Sequence, residues 1–382
     1  MNIPSTEVDT IKTASNDVDE SILLDESDFS ELDDPSPLTQ SISYSGSDFD
    51  VEGLVRRLKR GDIVVPSFGH SDPTVEAAGF QRAFVWRRAQ MDKFIESLLL
   101  GFPVPGIVLV QQEDKRYLVL DGQQRLSTLA RFYSGTHENQ VFALKNVAPE
   151  FQGLTYEKLS DAQRRTLDNT FIQAIIVKTD STTASLESVY QVFERLNSGG
   201  TQLTGHEIRV ALYAGQLIDF VAGLNQMKSW RALYGRVSPR LRDQELLLRI
   251  IALFVAPGTY RRPMKKFLND FAGNHRHCNS LQTASLTELI DKACNILNDA
   301  AGPKAFRHLS KQVNVALTEA VMVGLMRRLE VGGPAPAAGN INVALAELAL
   351  DSRFVEAITR ATADEEEVKY RLAYATKVLG AA

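Results

Sequence analysis

The sequence predicts an α+β protein: a mixed α/β core over about 49–225, followed by an all-helical region over about 226–382. Three observations carry that expectation. Short apolar runs bounded by turn residues, GIVLVQQ (106–112), RYLVLDG (116–122) and FIQAIIVKT (171–179), read as buried strands, and all fall before 225. Amphipathic stripes lie between them, the clearest being Met91, Phe94, Ile95, Leu98 and Leu99, spaced as one face of a helix. Beyond 225 the strand signal fades. DQELLLRIIALFV (243–255), SLTELIDKACNILNDA (285–300) and VNVALTEAVMVGLMRRLE (313–330) all carry helical periodicity.

Each element has a local reason. Val51, Leu54, Val55 and Leu58 share a helix face, and Gly61 stops that helix. IVVPSF (63–68) reads as a short strand and GHSDPTVEAAG as a loop. Gly101 ends the helix over 87–100. The strands at 106–112 and 116–122 are separated by so few residues that they must run antiparallel. A helix at 184–196 runs into NSGGTQLTGHE, where Thr204 and Glu207 have the spacing of a capping box for the next helix. VGGPAPAAGN (331–340) reads as a linker.

Charge is unevenly spread. Residues 1–50 hold 13 Asp/Glu and one lysine, against a net charge of −5 for the whole 382-residue chain. Residues 1–48 therefore read as an acidic, disordered tail, preceding a mildly basic body. No run of about 18 apolar residues predicts a membrane span. The N-terminus lacks the basic and apolar regions of a secretory signal. Two cysteines, Cys278 and Cys294, cannot build a disulfide framework. A cytoplasmic protein is expected.

The stretch richest in chemistry is YLVLDGQQRLSTLARFY (117–133). A buried strand meets Asp121-Gly122-Gln123-Gln124-Arg125, and a helical stripe of Leu126, Leu129, Ala130 and Tyr133 follows directly. A strand that turns through glycine into a helix can make an anion site. The first helical amides have no internal partner, and the helix dipole adds partial positive charge. Gly122 lets a phosphate approach the backbone, and Arg125 supplies a permanently charged fork. Asp121 could hold Mg²⁺ or orient Arg125; the plainer alternative is that it caps the helix while Arg125 pairs at the surface.

DGQQRLSTL resembles the signature of the DGQQR family, the N-terminal domain of GmrSD-type modification-dependent restriction enzymes. FQRAFVWRRAQMDKFIESLLLGFPVPGIVL (80–109) and VFERLNSGGTQLTGHEIRVALY (192–213) resemble the blocks that precede and follow it. The resemblance implies a ParB/sulfiredoxin-like core over about 49–225 that binds a nucleoside triphosphate. It implies a phosphate loop of Gly122, Gln123, Gln124 and Arg125, with Gln81 and Arg82 approaching from the first block. Asn197, Gly199, Gly200 and Thr201 would form a facing loop. Asp121, Arg125 and Glu194 are the catalytic candidates, Asp121 being also the metal ligand. The first functional reading is NTP hydrolysis with Mg²⁺, linked to DNA restriction or anti-phage defence. The alternative is an NTP-gated switch that binds DNA or a separate nuclease or effector subunit without hydrolysis. The reactive cysteine of sulfiredoxins is missing, and no His-Asn-His nuclease segment is visible in the helical tail.

Remaining features are weaker. Arg261, Arg262, Lys265 and Lys266 cluster between two aromatics and could meet a nucleic-acid backbone. Trp86 could stack on a base or join the core. His275, His277 and Cys278 are too closely spaced for a standard zinc site.

Overall fold

The computed structural model of the chain describes residues 42–65, 86–180, 182–196, 203–332 and 334–382. Strand β1 (Ser43–Asp50) leads into helix α1 (Val51–Arg60), then β2 (Ile63–Val64), α2 (Arg88–Leu99), β3 (Ile107–Gln111), β4 (Tyr117–Asp121) and α3 (Gln123–Ser134). A small hairpin, β5 (Thr136–His137) and β6 (Gln140–Val141), precedes α4 (Asp161–Asp168) and β7 (Phe171–Lys178). The main sheet has the order β1-β7-β3-β4-β2. β3 runs antiparallel to β4, as their short connection requires, and parallel to β7. β1 pairs antiparallel with β7 and forms one edge.

The expected tail over 1–48 gives up its last residues: 43–48 belong to β1. Serine and glycine hide the strand signal there, and Phe49 is the residue of β1 that is buried. Residues 1–41, with the rest of that expectation, lie outside the described residues. Local signals hold elsewhere. Asp50 accepts the Gly53 N–H at 2.5 Å to cap α1, and Gly61 ends it at φ 75°. Met91, Phe94, Ile95, Leu98 and Leu99 of α2 are all buried. Two buried carboxylates of the same helix fasten the segment after β6. Asp92 accepts the Asn146 N–H at 3.0 Å, and Glu96 accepts that of Ala148 at 2.6 Å.

The two faces of the sheet feed two cores. Leu109, Val119, Ile172, Ala174 and Ile176 pack with α1, α2 and α3. Val108, Val110, Leu118, Leu120 and Val177 pack with the helices that follow β7. Those begin with α5 (Thr183–Leu196), α6 (Gly205–Leu212), α7 (Gln216–Asn225) and α8 (Lys228–Tyr234). Next come α9 (Arg242–Val255), α10 (Met264–Asn274), α11 (Thr283–Ala300) and α12 (Val315–Glu330). Last are α13 (Ala338–Leu350), α14 (Ser352–Ala357) and α15 (Glu365–Gly380). The observed architecture is therefore α+β with a helical C-terminal part. Its second core runs without a break across residue 225, joining Val189 and Phe193 to Ile250, Leu268 and Met322. The linker expected over 331–340 is shorter, because α13 already starts at Ala338.

A chain of polar side chains crosses this second core. Glu187 of α5 accepts from Asn269 of α10 at 2.7 Å, and Asn269 accepts from Arg209 of α6 at 2.8 Å. Arg209 lies 3.7 Å from Glu245, which takes two hydrogen bonds from Arg249 on α9. Arg249 reaches Glu319 of α12 at 3.6 Å, and Glu319 is bound by Arg371 of α15. Arg249 and Arg209 overcome the effect of burial on Glu245 and hold its carboxyl down at about 2. His206 accepts from Arg209 at Nδ1, 3.2 Å away, while its Nε2 is buried with no partner among the described residues. Burial, aided by the Arg209 and Arg249 cations, outweighs the Glu245 carboxylate and pushes His206 down to about 3.

That imidazole sets a pH dependence. The unfolded chain protonates His206 below about pH 6.5 while the folded chain stays neutral there to about pH 3. The unfolded state then binds the extra proton, so stability falls as pH falls. Urea unfolding should show roughly 2 kcal/mol lost at this residue between pH 7 and pH 5. His206→Gln should remove that part of the slope; the wild-type slope retained in the variant contradicts the assignment.

Candidate functional site

β4 carries Leu118 and Leu120 into the second core and Val119 into the first, so its last residue emerges at the sheet end. The β3–β4 register shifts at Val108/Leu109, which sets Asp121 opposite Val108. The Asp121 side chain is 50% exposed. Gly122 then turns the chain at φ 96° and ψ 9°, and α3 begins at Gln123. A Cβ on Gly122 would sit 2.5 Å from Cγ2 of Ile107, so both conformation and space require glycine here.

Among the described residues neither Asp121 nor any other side chain caps α3. The first backbone bond of the helix runs from the Leu126 N–H to the Gly122 carbonyl at 2.9 Å. The amides of Gln123, Gln124 and Arg125 therefore have no place in the helical ladder. Asp121 instead accepts from Nη2 of Arg125 at 2.7 Å. The same Nη2 donates to the Gly106 carbonyl at 2.8 Å. Arg125 is only 14% exposed, and its Nε is buried with no partner among the described residues. Nε2 of Gln123 is in the same condition. Two buried donors thus lack acceptors beside a bare helix N-terminus, which leaves room in the hydrogen bonding for an anion.

Gln124 faces elsewhere. Its Oε1 accepts the Trp86 N–H at 3.3 Å, linking the end of the first block to the loop. Trp86 itself meets Phe94 edge-on at 5.5 Å, so it joins the core as the plainer expectation had it. Gln81, Arg82, Asn197, Gly199, Gly200 and Thr201 lie outside the described residues.

Glu194 has a different setting from the one expected of a catalytic base. Both carboxylate oxygens are bound by Nζ of Lys265, at 3.1 and 3.2 Å, which ties the end of α5 to α10. The Lys265 side chain is only 8% exposed, so it is not offered to a nucleic-acid backbone. The other three cations have acidic neighbours but stay at the surface, with Arg261 and Arg262 71% and 51% exposed. Arg262 pairs with Asp364 at 2.6 Å, Lys266 with Asp270 at 2.6 Å, and Arg261 lies 3.8 Å from Glu365. Sequence spacing shows four neighbouring cations but not the acidic partners, three of which (Glu194, Asp364 and Glu365) lie far along the chain. Glu207 caps α6 through the Thr204 N–H and also binds Arg240. Among the described residues no group of three or more His, Cys, Asp or Glu gathers as a metal site. No helix among them is long and apolar enough to cross a membrane.

Gly106 is the site residue that sequence reading overlooked. A Cβ there would lie 2.6 Å from the Gln173 carbonyl, so glycine lets this backbone pass close to β7 while presenting its own carbonyl to Arg125. Its signal was the isolated glycine that opens GIVLVQQ.

Gly122→Ala should cost about 2 kcal/mol of stability in chemical denaturation, because a side chain meets both a left-handed backbone and the Ile107 methyl. A loss below about 0.5 kcal/mol would contradict this junction geometry.

No curated protein and no solved structure matches the chain. Residues 53–214 do match a family model described as the GmrSD restriction endonuclease, N-terminal domain. That segment spans α1 to just past α6 and contains the whole β4–α3 junction. On this match, residues 53–214 belong to the GmrSD N-terminal domain family.

Proposed function

We propose that the β4–α3 junction binds the phosphates of a nucleoside triphosphate and that this binding serves a restriction system acting on foreign DNA. The observation that carries the reading is a pair of buried donors, Gln123 Nε2 and Arg125 Nε, that have no acceptor among the described residues, beside an N-terminus of α3 that no described side chain caps. Helix amides and a guanidinium fork are suited to phosphate oxygens. The family description supplies the link to restriction.

Mg²⁺ fits as a partner of the nucleotide. Asp121 is half exposed, and Oδ2 is the oxygen that meets Arg125. Magnesium is commonly held by one or two carboxylates together with substrate phosphates. Asp121 would contribute one such oxygen, and the ion would neutralise phosphate charge. Arg125 and the loop amides would orient the phosphates.

Two outcomes can follow binding: hydrolysis of the NTP, or a gate that responds to binding alone. One observation favours the gate. Glu194, the second carboxylate expected in catalysis, is bound through both oxygens by Lys265. The protein then acts as a nucleotide-dependent switch for a nuclease or effector subunit.

Calorimetric titration with NTP and Mg²⁺, alongside a phosphate-release assay, tests this. Wild type should bind, and Arg125→Ala should weaken binding about 10- to 100-fold, the loss expected for a charge-assisted hydrogen bond. Arg125→Lys should recover only part, since it keeps charge but lacks the fork. Binding unchanged in Arg125→Ala refutes the site. Fast phosphate release with DNA present refutes the gate and supports hydrolysis.

A further inference from the structure

The sheet face that receives the helical core is only partly covered. Val177, Val110 and Leu118 are buried under the helices. Farther along the same side of β7, Ile175 and Phe171 are 43% and 68% exposed, and Gln173 between them is exposed. Their neighbours on β1 are Gly46, opposite Ile175, and Asp48, opposite Gln173, both also exposed. Among the described residues a Cβ built on Gly46 meets nothing within 4 Å, so the space next to Gly46 on this shelf is open.

The shelf adjoins the β4–α3 junction. Ile175 pairs with Val108, and Val108 pairs with Asp121. Two inter-strand spacings, about 10 Å, therefore separate Ile175 from Asp121. A shorter link runs through Arg125, whose guanidinium binds the Gly106 carbonyl. Gly106 in turn lies against Gln173, with its Cβ position 3.6 Å from the Gln173 Cβ. A ligand whose phosphates meet Gln123 and Arg125 would have the shelf, about 10 Å from Asp121, as an exposed apolar surface on the sheet.

We propose that this shelf is the nucleobase subsite of the phosphate loop: Ile175 and Phe171 are its apolar floor, Gln173 hydrogen-bonds the base edge, and Gly46 keeps the space above clear. The proposal rests on the phosphate-loop reading and adds to it the residues that set nucleotide preference. Charge gives the orientation. Asp48 lines the β1 side of the shelf, where a carboxylate disfavours phosphate and tolerates an uncharged heterocycle. Apolar and aromatic side chains accept any base face, whereas a glutamine amide discriminates between base edges through its donor and acceptor.

The test compares four NTPs with inorganic tripolyphosphate, all with Mg²⁺, by calorimetry. Wild type should bind at least one NTP about tenfold tighter than tripolyphosphate, the smaller end of what base stacking contributes. Gly46→Tyr, which fills the open space on a strand that tolerates tyrosine, should remove that advantage and leave tripolyphosphate affinity within about twofold. Gln173→Glu should change the ranking of the four NTPs, again without affecting tripolyphosphate. These side chains are exposed, and unchanged thermal melts should show that the variants fold. Wild type binding tripolyphosphate as tightly as every NTP overturns the base subsite but leaves the phosphate loop standing. Wild type binding neither removes both. Variants that retain the wild-type NTP advantage and ranking also overturn the proposal and would leave the open face to a protein contact.

Discussion

One guanidinium holds three pieces of backbone in register. Nη2 of Arg125 binds the carboxylate at the end of β4 and the carbonyl that leads into β3, while its own backbone forms the first turn of α3. The ion pair with the half-exposed Asp121 alone would contribute little, about 0–1 kcal/mol. The bond to the Gly106 carbonyl matters more for geometry, because it fixes the β3 entry relative to the helix start. Gly122 and Gly106 are the complementary constraint. Each removes a side chain where Ile107 or the Gln173 backbone already occupies the space. The close approach that brings the strand ends to the helix N-terminus depends on both.

The sheet behind this junction separates two apolar cores, and the second contains a polar chain from α5 to α15. Buried ion pairs of this kind contribute less to stability than their Coulomb energy suggests, because each ion loses its hydration. Removing one partner is far costlier, since it strands a charge in the interior. The chain therefore fixes how the helices are arranged around α5. Leu186, Val189, Tyr190 and Phe193 of α5 belong to the core that the sheet shares, Glu187 starts the polar chain, and Glu194 is fastened to α10. A physical route thus exists between the sheet and the C-terminal helices. Motion along it would require a second arrangement of these side chains.

The parts of this architecture that local chemistry dictates were legible in the sequence. The α2 stripe, the antiparallel β3–β4 pair, β7 and the Thr204–Glu207 capping box all follow from periodicity and turn residues. β1 was not legible, because SYSGSDFD has the composition of a polar tail and becomes a strand by pairing with β7. At the site, Asp121 to Arg125 was visible because strand, glycine and helix are contiguous there. The partner of Glu194 was hidden because Lys265 lies 71 positions along the chain. Distance in sequence likewise concealed Asp364 and Glu365, which hold Arg262 and Arg261. A cation cluster that looks unpaired in one dimension has acidic neighbours in three.

Amide hydrogen exchange on the intact protein, with and without a Mg²⁺–NTP complex, tests the central assignment at the backbone itself. The amides of residues 122–126 should exchange more slowly when nucleotide is bound, because phosphate oxygens would take the donors that the helix leaves unpaired. Nucleotide binding that leaves exchange across 122–126 unchanged, with protection appearing elsewhere, would contradict the claim that this junction is the phosphate site.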